Sequence, residues 1–466
     1  MRSRAVALAG ALAVLVIALV LLLSGGDGAT KGKPPASAAA TLVPADALVY
    51  IHLSTDPDRA ETRSAAKLAD AFPSWQALRD GIVTRLQAPG CDLATKALKS
   101  ADEAALAIFD TGAGARANSL VLVDTGKDHP GAKQRGCGTL SATYIKTFLA
   151  IGQPDSLALA TKLAKAGGRG SLAEAPGPKR MLAKLPADRV ADGWLSADGV
   201  RRLLAPQGGL LGAVGTLVDQ ATLKGAAFGL AGAGYRVKLT VASQLDPSLA
   251  TGTAKAGAGF KPFRPKLASA VPADAMAYLG VSNLGPALQR LLAAAGAGSA
   301  SLKPLVGSLG EPLQKIFPGE VALILTAATP APVLTLLGTA KDEASVRQEL
   351  AALPAMVRKR LSSTVWDGKV AVATDPKGLA SVKRGGKHLT DLANWQLSVG
   401  NHPDLLSSLL FLDFSRLLTL GEETGLRASS AYRSAKADLQ KVRAIGASTS
   451  GTSSESTAEI SLLIKP

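Results

Sequence analysis

From Leu42 to the C-terminus the apolar residues fall into short runs bounded by Pro, Gly, Asp and Ser, which predicts strands more often than long helices. Leu48 to Ile51, Glu103 to Phe109, Ser119 to Val123 and Phe148 to Ile151 are such runs. Ala227 to Ala231 and Tyr235 to Val241 have the spacing of a hairpin. Helical segments fall between them, so the pattern reads as α+β.

The same order of runs returns further along. Leu42-Val43-Pro44-Ala45-Asp46-Ala47-Leu48-Val49-Tyr50-Ile51 is matched by Ala270-Val271-Pro272-Ala273-Asp274-Ala275-Met276-Ala277-Tyr278-Leu279, an offset of 272 − 44 = 228 residues. Glu103 to Phe109 corresponds to Glu320 to Leu325, and each is followed by a second apolar run, Val333 to Leu337 in the later copy. Phe148 to Pro154 parallels Val370 to Pro376, with Leu157 and Leu379 three residues beyond each Pro. Asp198, Arg201 and Leu203 match Asp413, Arg416 and Leu418, and Ala444 to Ser448 with Ala458 to Ile464 repeats the closing hairpin. Six features in one order predict a duplication, with Ser54 and Ser282 placed as helix N-caps after the first strand of each copy.

Arg2 and Arg4 precede Ala5 to Leu23, 19 residues without a polar side chain. As a helix this run spans about 28 Å, close to the hydrocarbon thickness of a bilayer and long for a cleavable signal peptide. The basic tip predicts a cytoplasmic N-terminus, a single pass at the cell membrane and an extracytoplasmic bulk. The expected organisation is a tip at 1–4, a transmembrane anchor at 5–23, a flexible stalk at 24–40, a first repeat at 41–243, a linker at 244–267 and a second repeat at 268–466. Each repeat is expected to be a mainly antiparallel sheet with helices on one face.

The anchor, the two Pro-Ala-Asp-Ala strand starts at Pro44 and Pro272, and the segments holding Asp198 with Arg201 and Asp413 with Arg416 resemble a bacterial family of membrane-anchored proteins catalogued as domain of unknown function 3352. The resemblance covers about Leu42 to the C-terminus. It implies an extracytoplasmic α+β module and supplies no catalytic residues.

Aromatic residues are only 4% of the chain against 47% hydrophobic residues, so Ala, Leu and Val must fill the cores. A net charge of +16 favours anionic partners such as envelope lipid or polymer. Basic clusters occur at Arg358-Lys359-Arg360, at Lys383-Arg384 with Lys387, and across Lys261 to Lys266. None interleaves with the aromatics of a nucleic-acid platform, so no nucleic acid is expected. Lys261, Arg264 and Lys266, spaced by Pro262 and Pro265 and flanked by Phe260 and Phe263, form the candidate contact for an anionic surface, against the alternative of a solvated connector whose phenylalanines dock on their own domains.

Candidate chemistry is sparse. His52, His129, His388 and His402 are scattered and none has zinc-site spacing, and His52 falls on a strand as a core or edge residue. Gly280-Val281-Ser282-Asn283-Leu284 misses the last glycine of a nucleophile elbow. The glycine-rich stretches lack phosphate-loop spacing, and the recurring Asp46, Asp274, Asp198 and Asp413 suit turn and cap duties. No catalytic, cofactor-binding or metal residue is assigned and no cofactor is expected. Three readings follow: an envelope binding or structural module, a carrier or sensor of apolar ligands using stretches such as Leu210 to Leu217, and an envelope hydrolase with an unfamiliar site. Cys91 and Cys137, 137 − 91 = 46 residues apart, are the two cysteines and are expected to pair outside the membrane.

Overall fold

The computed structural model describes residues 34, 35, 37–56, 58–77, 101–110, 117–137, 140–204, 222–249, 262–282, 313, 315–328 and 331–465. The chain divides into two units, the first ending at Leu249 and the second running from Ala250 to Lys465. The expected anchor Ala5 to Leu23 lies outside the described residues, among which no helix is long and apolar enough to cross a membrane.

The described residues of the first unit form nine antiparallel strands. These are β1 (Val49–Ser54), β2 (Glu103–Asp110), β3 (Ala117–Asp124), β4 (Arg135–Cys137), β5 (Leu140–Ile145), β6 (Phe148–Gly152), β7 (Ala191–Ser196), β8 (Leu223–Ala233) and β9 (Arg236–Leu245). Their pairings give the order β4-β5-β6-β3-β2-β1-β7-β8-β9. Among the described residues the longer helices that accompany the sheet are α1 (Ala60–Asp70), α2 (Pro154–Lys165) and α3 (Pro176–Leu182).

The helices cover both faces, which corrects the expectation of one. Ala65 and Ala69 of α1 pack with Leu53, Val123, Leu149 and Ile151. Leu157 and Ala160 of α2 and Met181 of α3 pack with Tyr50, Ala107, Phe109, Leu122 and Trp194 on the other side. The reason is visible in β1 and β6, buried at every position, because strands covered on both sides are apolar runs and not alternations. Alanines at 105, 107, 150, 227 and 242 keep the sheet surface flat enough for helices to approach closely.

The second unit contains β10 (Ala275–Val281), β11 (Val321–Thr326), β12 (Val333–Thr339), α4 (Glu343–Ala352), β13 (Ser362–Trp366), β14 (Lys369–Ala373), α5 (Pro376–Lys383), α6 (Ala393–Ser398), β15 (Ser408–Leu412), α7 (Phe414–Glu423), α8 (Ser430–Leu439), β16 (Val442–Gly451) and β17 (Glu455–Ile464). Its internal order is β13-β14-β12-β11-β10-β15-β16-β17. Val346 and Leu350 of α4 pack with Val281, Val321, Val370 and Val372. Val382 of α5 and Trp395 of α6 pack with Tyr278, Ile324, Ala371 and Phe411. The turn between β13 and β14 is Asp367-Gly368 with φ of 45° and 69°, the doubly left-handed conformation that a two-residue hairpin loop requires.

Several boundaries move. The stalk expected through Ala40 already belongs to the unit at its end, where Ala38–Leu42 forms a 3₁₀ turn with Ala39, Ala40 and Leu42 buried. Small side chains that looked featureless fit there because the turn is capped from inside, as described below. The linker expected at 244–267 also shrinks: Gln244 and Leu245 end β9, while Phe263 and Leu267 are core residues of the second unit. Ser54 does not cap a helix; it is the buried last residue of β1, and Arg59 precedes α1.

Candidate functional site

The densest group of buried ionisable residues lies on β1 of the first unit and the strands beside it. His52 stands opposite Ala105 on β2 and Asp192 on β7, and Ser54 stands opposite Glu103. Directly opposed side chains share a face, so strand alternation alone brings His52, Glu103 and Asp192 together on the side carrying Tyr50 and Trp194. His52 has no solvent exposure, and its ring nitrogens Nε2 and Nδ1 lie 3.5 Å from Glu103 Oε1 and 3.3 Å from Asp192 Oδ1.

Each carboxylate has further partners. Glu103 accepts the backbone N–H groups of Ala38 and Ala39 at 3.0 and 2.9 Å, capping the entry turn. Asp192 accepts from Arg189 Nε at 2.5 Å, and Arg189 also donates to the Pro186 carbonyl at 2.8 Å. Burial pushes the Glu103 carboxyl above its ordinary value, an effect that His52 and the two backbone donors only partly offset. Burial acts the same way on Asp192, but the His52 ring 3.3 Å away and the Arg189 guanidinium outweigh it and hold that carboxyl below its ordinary value. The Tyr50 hydroxyl, 2.8 Å from Ser37 Oγ, is pushed well up by burial and by the Glu103 charge.

The same register positions in the second unit are apolar. Gly280 of β10 lies opposite Ala322 and Leu409, where the first unit has His52 between Ala105 and Asp192. Gly280 is required because the Tyr278 hydroxyl sits over it, where any Cβ would collide. Glu320, by contrast, keeps the role of Glu103: it accepts from the backbone N–H groups of Lys266 and Leu267, both at 3.0 Å, and burial raises its carboxyl too. A capping carboxylate is thus common to the two folds, and the His52–Asp192–Arg189 network is particular to the first.

The second unit carries a groove of about 450 Å³ between α4, the segment that follows it and strand β13. Leu350, Leu353, Leu361 and Val372 line it with Arg347 and Arg358. Arg347 is engaged, donating to Glu343 at 2.8 Å and to the Val365 carbonyl at 3.0 Å. Arg358 is exposed, with no ion-pair partner among the described residues.

The residues singled out from sequence do not converge. Cys137 ends β4, buried in the core and not a free thiol, while Cys91 lies outside the described residues. Arg264 and Lys266 have exposed side chains, but their backbone is fixed: Phe263 and Leu406 exchange N–H···O=C bonds of 2.8 and 2.9 Å. Phe263 therefore docks on its own unit, while Lys261 and Phe260 fall outside the described residues, as does Leu210 to Leu217. Asp413 is the N-cap of α7, accepting from Arg416 N at 3.2 Å. Its sequence counterpart Asp198 is exposed, and Ser196 does the capping there. Asp46 and Asp274 are likewise exposed, each in the turn before the first strand of its unit. Trp75, Trp194 and Trp395 are buried, and Lys383 lies 5.2 Å over the Trp366 ring. Among the described residues no group of three or more His, Cys, Asp or Glu has the geometry to hold a metal ion.

Sequence reading missed the His52 network because its members are 51 residues (103 − 52) and 89 residues (192 − 103) apart. The available signal was polar residues inside apolar strand runs, His52 after Val49-Tyr50-Ile51 and Asp192 after Val190-Ala191.

No protein-family model matches the chain, and no curated protein matches it. Two solved structures of TP0453, crystal forms IV and I, align with TM-scores of 0.26 and 0.25 at 9% identity. They cover 44% and 45% of this chain and 79% of theirs.

Proposed function

We propose that this chain is a membrane-anchored, extracytoplasmic binding or structural module of the cell envelope. It consists of two units that arose by duplication and belongs with the family catalogued as domain of unknown function 3352. The observation that carries this reading is the placement of its chemistry. Among the described residues the cluster of His52 with Glu103 and Asp192 is buried beneath the 3₁₀ turn, where it holds that turn and is closed to solvent. A groove in the second unit, in contrast, is accessible and combines leucine and valine side chains with Arg347 and Arg358. The duplication is supported by the matching order of eight strands, with β4 as an addition to the first unit, and by the paired roles of Glu103 and Glu320.

The apolar run Ala5 to Leu23 supplies the tether, and the +16 balance supports weak, salt-sensitive contact with an anionic envelope lipid or polymer through Arg264 and Lys266 together with Lys261. Two measurements test the reading. Protease treatment of intact spheroplasts is expected to digest the second unit, and full protection there would refute the topology. The region after the anchor is expected to cosediment with anionic vesicles at low salt and to release as ionic strength rises to physiological values. Binding that ignores salt, or that survives replacement of Lys261, Arg264 and Lys266 by Ser, refutes the assigned surface.

A further inference from the structure

The two units share one strand pattern and differ at one edge. In the first, β5 pairs with β6 on one side and with β4 on the other, Leu140 facing Cys137 and Ala142 facing Arg135. In the second, β13 takes the place of β5 beside β14, and among the described residues nothing pairs with its outer side. The β13–β14 turn is a two-residue hairpin closed by Trp366 and Lys369, so Trp366, Thr364 and Ser362 direct their backbone groups inward, and Val365 and Ser363 direct theirs outward. Arg347 confirms this geometry by reaching the Val365 carbonyl from outside. That side chain closes the hairpin end of the edge and leaves the stretch around Ser363, the register that β4 covers on β5.

The groove lies along this same edge, lined by Ser363, Thr364 and Val365 as well as by the leucines of α4 and its following segment. In the first unit Cys137, on the added strand, buries its side chain beside Leu149, Ile151 and Ala142. Val370, Val372 and Ser363 occupy those places in the second unit, with Leu353 and Leu361 at the opening. Arg358 lines the groove without an ion-pair partner among the described residues, and Lys359 and Arg360 follow it in the chain.

We propose that the outer edge of β13 receives an extended, acidic segment of a partner protein as an added antiparallel strand, in the position that β4 fills in the first unit. Backbone bonds to Ser363 hold the segment, an apolar side chain enters the groove beside Leu361 and Val372, and a carboxylate meets Arg358. Strand addition of this kind draws affinity from the main chain and selectivity from the pockets that receive alternate side chains. An edge that no described strand covers, beside leucine and valine side chains, otherwise invites promiscuous pairing, which the Arg358 charge restricts to acidic partners. The inference deepens, and rests on, the binding-module reading.

The test uses the chain with its anchor in detergent and two labelled octapeptides, one alternating Val with Glu and one alternating Val with Lys. The Glu peptide is expected to bind in fluorescence anisotropy and to slow hydrogen exchange at the Ser363 amide, and the Lys peptide is expected to bind roughly tenfold more weakly or not at all. Ser363→Pro removes an outward N–H that the hairpin does not use, so it should leave the melting temperature nearly unchanged and abolish peptide binding. Arg358→Glu, a change on the surface, should reverse the preference between the two peptides. Binding that is absent, or that is equal in wild type and both variants, overturns the proposal. Displacement of the Glu peptide by palmitate with no effect of Ser363→Pro assigns the groove to acyl chains, and self-association lost in Ser363→Pro assigns it to a second copy; each overturns it as well. Salt-sensitive vesicle binding that persists through these failures rejects only the β13 assignment and leaves the envelope-module reading standing.

Discussion

Glu103 Oε1 accepts the backbone N–H of Ala39 at 2.9 Å, so the 3₁₀ turn that leads into the first unit is held by a carboxylate from the second strand. Its neighbour Ala38, itself exposed, donates to the other oxygen at 3.0 Å, while Ala39 and Glu103 are buried. Glu103→Ala leaves two backbone donors without their acceptor and removes one of the carboxylates beside His52. It is expected to cost about 3 kcal/mol of stability in urea titration, and Glu320→Ala, at a half-buried site whose Lys266 donor is exposed, about 1 kcal/mol in the second unit. A loss under about 0.5 kcal/mol for either would show that water replaces the carboxylate and that the turn is not held from inside.

The two acids beside His52 respond to pH in opposite directions. Glu103 has a raised carboxyl in the fold, so its contribution is fully present below its ordinary value of 4.5 and is lost as pH rises through the higher folded value. Asp192 is depressed, so its contribution is present above its ordinary value of 3.8 and is lost as pH falls below that. Asp192→Asn is therefore expected to flatten the acid limb of the stability profile below about pH 3.8, whereas Glu103→Gln changes the slope above pH 4.5. Calorimetric or denaturant profiles of the two variants that move in the same window would contradict the assignment. Asp192→Ala at neutral pH also strands Arg189 and should cost about 3 to 5 kcal/mol, as breaking a buried pair does.

Much of this fold is written in runs of residues. The paired decapeptides at Leu42 and Ala270 mark the first strands, and the turn at Asp367-Gly368 is readable from two letters. What escaped reading depended on residues far apart in sequence. Ser37 to Ala40 looked like a continuation of a polar stalk because nothing near it announces the Glu103 carboxylate that caps it. Strand β5 was missed because its mixed Leu-Ser-Ala-Thr-Tyr-Ile pattern is half-buried, with only Ala142 and Ile145 inside. The coverage of both sheet faces was encoded in the continuous burial of β1 and β6, yet an apolar run of that length fits a central strand in several architectures. The His52 network could be suspected from polar residues within apolar runs, but the pairing register of β2, β1 and β7 alone brings them together.

Tyr50 and Tyr278 occupy matching places and are both without solvent exposure, but only Tyr50 has a partner for its hydroxyl, at Ser37. The Tyr278 hydroxyl has no hydrogen-bond partner among the described residues, and burial, with the Glu320 charge, raises its ionisation far above the ordinary range. Removing an unsatisfied buried hydroxyl relieves its desolvation, so Tyr278→Phe is expected to stabilise by about 1 kcal/mol. Tyr50→Phe removes a made hydrogen bond and orphans Ser37, and should destabilise by about the same amount. Equal effects of the two substitutions in thermal melts would refute the distinction.

Cys137 closes β4 against the core formed with Leu149, Ile151 and Trp75, and β4 has no counterpart among the described residues of the second unit. Three residues of edge strand give little pairing by themselves, so a covalent link is a physical reason for β4 to stay in place. Cys91 is the other cysteine of the chain, and in an oxidising compartment a bond between the two persists. In the chain-entropy model, closing a loop of that length stabilises by about 4 kcal/mol. Intact-mass measurement after alkylation without reductant is expected to find no modified thiol, and reduction should expose two. The Cys91→Ser, Cys137→Ser double variant should lose stability by an amount on the order of the loop term and show faster hydrogen exchange in β4 and β5, while the amides of β13 and β14 keep their rates. Alkylation of both thiols in the unreduced protein would reject the pairing, and unchanged exchange in β4 after the double substitution would show that the edge strand holds without it.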